Sequence, residues 1–197
     1  MPFVACHKSD GNNIERARYH TLVMLDAAHG GADTGTTNAD GKQEKAMVLA
    51  LCKEMAAMAP LYNIEVLQTR NDDTDPPLGT RIGVTIAATP DVFLSLHINK
   101  APAGTPARIY EIFLAPDEPF FAENSILTTA ILSRLAVAGK DTVRTYKNAL
   151  ILRGHTQPAL AVECGDIGKP DDVATMEDRE QLCRYLLESI VTYSNAR

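Results

Sequence analysis

The sequence predicts an α/β fold: a single domain on a twisted, mostly parallel sheet of about six strands, with helices on both faces. Three observations lead there. Short apolar runs with strand character alternate with longer stretches at helical spacing for most of the length. The runs at 22–25, 92–96 and 159–162 carry apolar residues on both sides of the pleat, as strands buried on both faces do. A chain of 197 residues suits one such domain and buries about 70% of its unfolded surface, so it needs no covalent or metal staple to fold.

The elements follow in order. Residues 1–19 are polar, with the turn pair Asp10-Gly11 between short flanks, and are expected to form an arm or hairpin apart from the domain at 20–197. A buried strand is expected at 22–25, running into a Gly-rich loop. Residues 44–59 have helical spacing, and Pro60 stops that helix. A strand at 64–69, an Asp/Pro-rich loop at 71–77, a helix at 78–88 and a buried strand at 92–96 come next. Beyond a loop at 99–106, strands are expected at 108–114 and 149–152 around a helix at 120–137. The last strand is at 159–162, and one long amphipathic helix at 171–193 closes the chain.

The formal net charge is −6 and the pI about 5.3. That argues against a nucleic-acid binder, which needs a basic face against phosphates. No apolar run is long enough to span a membrane. The first residues lack the apolar core of a secretory signal, so the protein is either made in the cytosol or has had a leader removed. Cys6, Cys52, Cys164 and Cys183 form no C-x-x-C pair and read as small buried hydrophobes. Nothing calls for a partner chain, and a monomer is expected.

In a parallel sheet, sites form beyond the carboxyl ends of the strands. Three of these ends carry ionisable groups: His29 after the first strand, His97 after 92–96, and Glu163 after 159–162. The loop after the first strand leads to Glu44. A hydrolytic metal site needs about three protein ligands, an open position and a group that moves a proton, and His29, Glu44, His97 and Glu163 are candidates for those four places. Each also has a plain reading. A histidine after a strand is often a hydrogen-bonded structural residue, and Glu44 favours the positive end of a helix dipole. Glu163 is harder to explain that way, since a carboxylate beside an apolar strand is costly without a partner.

Several segments resemble one family. Val23-Met24-Leu25-Asp26-Ala27-Ala28-His29-Gly30-Gly31-Ala32-Asp33-Thr34-Gly35 is similar to the opening motif of the zinc-dependent N-acetylmuramoyl-L-alanine amidases of the Amidase_3 type. Gly41-Lys42-Gln43-Glu44-Lys45 resembles that family's second ligand segment. Gln68-Thr69-Arg70-Asn71-Asp72-Asp73 with Leu78 and Arg81, Asp91-Val92-Phe93-Leu94-Ser95-Leu96-His97-Ile98-Asn99, and Leu152-Arg153 with Pro158-Ala159-Leu160-Ala161-Val162-Glu163-Cys164-Gly165 resemble its later landmarks. The matches fall in the family's order over roughly 21–193.

The resemblance implies a phosphorylase/hydrolase-like fold and one Zn2+ held by His29, Glu44 and His97, with Glu163 as catalytic acid and base. It implies cleavage of the amide between muramic acid and L-alanine in peptidoglycan, at the cell wall. Asn99 and His155 are expected to line the cleft, His155 otherwise being a solvated loop residue. Two departures stand out. Ala28 replaces a usual Gly, and Asp166-Ile167-Gly168-Lys169 replaces an aromatic and Ser-Asn, which puts the substrate-facing loop in question. The stretch 100–148 lacks a blocking helical insertion, so an open cleft is expected.

Three rival functions remain. One is a non-catalytic peptidoglycan binder, although a binder has no use for a general base. Another is a zinc peptidase, for which no H-E-x-x-H helix is present. The third is a Cys164 nucleophile, which would have to share a face with Glu163, whereas neighbours on a strand point to opposite faces. His7 and His20 read as surface or packing residues, and Arg70 and Arg81 as partners of local carboxylates.

Overall fold

The computed structural model describes residues 16–18, 20–100, 110–137 and 142–197. The expected arm lies mostly outside them, as do Cys6, His7 and the Asp10-Gly11 turn. Residues 16–18 lie against the body: Ala17 N–H donates to Tyr62 O at 3.0 Å, and Arg18 N–H to Asn195 Oδ1 at 2.8 Å.

The strands are β1 (Thr21–Ala27), β2 (Ile64–Gln68), β3 (Val92–Asn99), β4 (Tyr110–Leu114), β5 (Thr142–Tyr146) and β6 (Ala159–Asp166), in the sheet order β2-β1-β3-β6-β4-β5. Four of the five pairings are parallel, and β4 runs antiparallel to β6. The helices are α1 (Glu44–Met58), α2 (Leu78–Ala88), α3 (Phe121–Val137), α4 (Pro170–Glu177) and α5 (Glu180–Ala196). This is the predicted α/β class, with helices on both faces.

The period-2 alternation of the central strands decides what each face becomes. Val92, Leu94, Leu96 and Ile98 of β3, with Leu160, Val162 and Cys164 of β6, join the large core beneath α1, α3 and α5. The alternate residues Met24, Phe93, Ala159 and Ala161 form a smaller core with Leu152. That second face is thinly covered, by α2 and a short 3-10 turn at Leu150–Leu152. Toward the carboxyl edge its residues turn polar: Met24 gives way to Asp26, Phe93 to Ser95 and His97, Ala161 to Glu163. His97 and Glu163 are register partners on β3 and β6, so their side chains leave the sheet on the same side.

Two expectations are corrected. The strand expected at 149–152 is the 3-10 turn, whose buried Leu152 closes the smaller core. Four apolar residues in a row suit a buried turn as well as a strand. The edge strand is instead β5, with sequence TVRTY and half-buried for most of its length. The single C-terminal helix is two. α4 ends at Glu177, and the chain passes through Asp178 (φ −93°, ψ 71°) before α5 begins. α4 covers the end of β6, while α5 packs along α1 and α3, and one straight helix does not do both. The strand expected from 108 is described from Tyr110 onward.

Candidate metal centre

β1 ends at Ala27, and His29 follows in the left-handed region at φ 61°. A β-carbon makes that conformation costly, and such strain gathers at functional sites. It turns the imidazole back over the sheet edge. Asp33 Oδ2 accepts from His29 Nδ1 at 2.7 Å, and Asp33 Oδ1 accepts from Gly35 N–H at 3.0 Å. The first bond holds the Asp33 carboxyl below its ordinary pKa. With Nδ1 engaged there, Nε2 is the ring nitrogen turned toward Glu44 and available to a metal ion.

Glu44 is the first residue of α1 and is 3% exposed. Its Oε1 lies 3.1 Å from His29 Nε2 and 3.2 Å from His97 Nδ1, and accepts from Ile98 N–H at 3.0 Å. Its Oε2 accepts from Thr36 N–H at 2.9 Å, with the Thr36 hydroxyl at 3.0 Å. Burial works against this charge, but the bonds from both histidines and from backbone N–H groups outweigh it and hold the Glu44 pKa far below the usual carboxylate range. The hydrogen bond to Glu44 likewise pushes His29 up to about 9. Without an ion, the pocket therefore draws a proton onto His29, as expected where a positive charge belongs.

Among the described residues, His29, Glu44 and His97 form the group whose ligand atoms all lie within 4.8 Å of one another. Two imidazoles and a carboxylate are a donor set for Zn2+. Glu44 Oε1 lies 3.1 and 3.2 Å from the two imidazole nitrogens, close enough for the three donors to share one ion. The carboxylate behind His29 is the usual second partner of a metal-bound histidine. The residues therefore fit the ion.

Glu163, on β6, is the register partner of His97 on β3, and its Oε2 is buried without a hydrogen-bond partner. Burial pushes its pKa up to about 7; His97 opposes this, while Glu44 and Glu111 add to it. A cleft of about 310 Å³ opens beside His29 and His97, between Asp33, Asp75, Leu78 and Ile151. The two imidazoles remain 23% and 28% exposed, so solvent reaches them.

The other singled-out residues fall as follows. Asn99 ends β3, half-buried, its Oδ1 accepting from Lys100 N–H at 2.7 Å. His155 is not a solvated loop residue: it is 5% exposed and stacked on Phe93 at 4.4 Å. Its Nε2–H donates to Ile151 O at 2.8 Å, and its Nδ1 accepts from Gln157 Nε2 at 2.9 Å. It props the wall of the smaller core. Cys164 is 1% exposed and faces the large core, away from His29 and His97, with its thiol pushed well up by burial. Cys52 and Cys183 are also buried free thiols. His20 sits at the surface, 3.2 Å from Glu65. The sequence reading missed Asp33, Thr36 and Gly35 as supports of the ligands. The available signal was their place in the Gly-rich loop between His29 and Glu44.

A mostly parallel sheet that gathers two imidazoles and a carboxylate at its carboxyl edge, with a second acid beside them, presents a candidate metal centre. Residues 23–190 match the Amidase_3 family, N-acetylmuramoyl-L-alanine amidase, and the chain belongs to that family. It is 31% identical over 159 residues to an endolysin of Bacillus phage SPP1, covering 79% of this chain and 58% of that protein. It is 42% identical over 76 residues to an N-acetylmuramoyl-L-alanine amidase of Salmonella typhimurium, covering 39% of this chain and 26% of that protein. The chain thus spans little more than half of the first relative and about a quarter of the second. The fold is shared with the crystal structure of an N-acetylmuramoyl-L-alanine amidase from Clostridium difficile 630, at a TM-score of 0.80 and 23% identity, over 90% of this chain and 98% of that one.

Proposed function

We propose that this chain hydrolyses the amide bond between N-acetylmuramic acid and L-alanine in peptidoglycan, with one Zn2+ held by His29, Glu44 and His97. The observation that carries the reading is Glu163: a buried acid with a partnerless oxygen, in register with a ligand histidine, and pushed up to about 7. Neither packing nor substrate binding alone calls for such a group.

Zinc in this site supplies Lewis-acid polarisation of the scissile carbonyl and makes water easier to deprotonate near neutral pH. Glu163 takes a proton from the attacking water as its oxygen bonds to the carbonyl carbon. It then returns that proton to the L-alanine nitrogen as the C–N bond breaks. Burial, which raises the Glu163 carboxyl, favours its holding the proton between the two halves of the exchange. His29 and His97 offer ring nitrogens to the ion, and the bond from His29 Nδ1 to Asp33 orients that ring with Nε2 toward Glu44. Asn99, at the end of β3, lies outside the residues that line the cleft beside His29 and His97, so a contact from it to substrate would be made beyond that cleft; residues 20–197 are proposed as the catalytic domain. The endolysin relative favours action on the cell wall, reached through a leader or phage-type lysis. The described helices include none long and apolar enough to cross a membrane.

The test is digestion of purified peptidoglycan with and without a chelator, followed by mass spectrometry. Intact stem peptides bearing a free L-alanine amine are expected only with metal present. Glu163→Ala is expected to retain zinc and lose turnover, and His97→Ala to lose zinc by elemental analysis. Normal hydrolysis by Glu163→Ala would overturn the assigned role.

A further inference from the structure

Two buried arginines converge on the turn that carries His29. Arg81, 5% exposed, donates from Nη2 to His29 O at 2.8 Å, from Nη1 to Ala27 O and to Asp26 Oδ1 at 2.8 Å each, and from Nε to Pro76 O at 2.8 Å. Arg70, 3% exposed, donates from Nε to Ala27 O at 2.8 Å and from Nη2 to Ala28 O at 2.9 Å and Lys45 O at 2.8 Å. The carbonyls of Ala27, Ala28 and His29 are thus all received by guanidinium groups.

Arg81 pairs with carboxylates as expected from sequence, Asp26 at 2.8 Å and Asp75 at 3.2 Å, and reaches backbone oxygens besides; Arg70 donates to backbone oxygens instead. These carbonyls lie where the chain leaves the sheet and turns through a left-handed residue, so a strand neighbour does not serve them. A buried carbonyl left bare costs about 1–3 kcal/mol, and a planar five-donor fork spans acceptors that a single ammonium does not.

We propose that Arg81 is a positioning residue for the metal centre: its bond to the His29 carbonyl holds the left-handed turn that aims His29 Nε2 at Glu44 before any ion arrives. Arg70 secures the two preceding carbonyls but makes no bond to His29 itself. This rests on the proposed metal site. Arg81 also borders the cleft beside His29, but the part proposed for it is to fix one ligand's backbone through the His29 carbonyl.

The two arginines therefore make a matched comparison. Arg81→Lys keeps a positive charge for Asp26 but does not reach all the carbonyls, whereas Arg70→Lys disturbs an equally buried guanidinium and spares the His29 bond. Zinc affinity is measured by chelator competition on each folded variant, beside thermal melting. Arg81→Lys is expected to weaken zinc binding by about 10–100-fold, the usual effect of losing support behind a metal ligand. The visible absorption of its cobalt-substituted form is expected to change. Arg70→Lys is expected to lose comparable stability with zinc affinity within about threefold of the parent. Equal zinc affinities for the two variants, with unchanged cobalt spectra, would overturn the proposal.

A measurement on the unaltered protein guards against variants that do not fold. In NMR titration, amide signals of Ala27 to Gly31 are expected to be sharp without metal and to shift modestly with zinc. Signals absent or broadened without metal, and appearing only with zinc, would refute preorganisation. If the unaltered protein binds no zinc, it is the metal-centre reading that fails; if it binds zinc and Arg81→Lys binds it equally well, only this inference does.

Discussion

Gly35→Ala tests whether the loop between the first two ligands is shaped by packing against them. Gly35 has φ 61°, and a β-carbon built there lies 2.6 Å from Glu44 Oε2 and 2.6 Å from His29 Cδ2. Ordinary contacts between such atoms are about 3.5–4.0 Å. Glu44 and His29 must then give way by about 1 Å, whereas a metal site tolerates only about 0.2 Å in ligand distance. Gly41→Ala is the matched control: Gly41 has φ 79° and nothing within 4 Å of the added carbon. Both variants carry the backbone cost of a left-handed alanine, about 1–2 kcal/mol, or a melting point lower by about 2–8 °C in a chain of this size. Only Gly35→Ala also moves two ligands. Its zinc affinity is expected to fall on the order of 100-fold below that of Gly41→Ala, about 2.7 kcal/mol. Competition against a fluorescent chelator measures the difference, and calorimetric melting checks that both variants fold. Equal zinc affinities would show that the close approach of Gly35 to the ligands is irrelevant to binding.

Two further outcomes follow from the groups around the centre. Glu163 is pushed up to about 7 from an ordinary 4.5, so the folded protein keeps a proton that the unfolded chain has released, and stability erodes as pH rises from about 4.5 through 7. In metal-free protein, Glu163→Gln is therefore expected to melt with the parent near pH 4 but higher at pH 8, by no more than about 3 kcal/mol; parallel melting curves across that range would contradict the buried-acid assignment. Cys164→Ala is expected to leave peptidoglycan hydrolysis intact while lowering stability by about 1 kcal/mol through lost packing, and loss of turnover in a folded variant would revive a cysteine mechanism.

Much of the fold was legible because a mostly parallel sheet writes its buried strands as apolar runs: β1, β3 and β6 all stand where the runs at 22–25, 92–96 and 159–162 put them. β5 was not legible. Thr142–Tyr146 is an edge strand with a polar, half-buried pattern, which in sequence resembles a loop. The run at 149–152 was apolar for a different reason, since Leu152 plugs the smaller core from a turn. The break between α4 and α5 was hidden because both helices carry apolar positions that continue one periodic stripe, while the bend answers to where β6 ends.

The candidate site divides along the same line. A metal ligand must offer a particular side-chain atom, so His29, Glu44 and His97 are visible as residue types at strand ends and a helix start. What supports the ligands works through groups that every residue has. Arg70 and Arg81 donate to backbone carbonyls, Ile98 offers Glu44 a backbone N–H, and Gly35 contributes the absence of a β-carbon. His155 shows the converse: a residue type that suggests chemistry, buried against Phe93 with both ring nitrogens engaged. Which atoms sit behind a ligand is fixed by the path of the chain leaving β1, and that path is a property of the assembled sheet. A centre of this kind is therefore expected to be more sensitive to substitutions at Gly35 and Arg81 than their distance in sequence from Glu44 and His97 suggests.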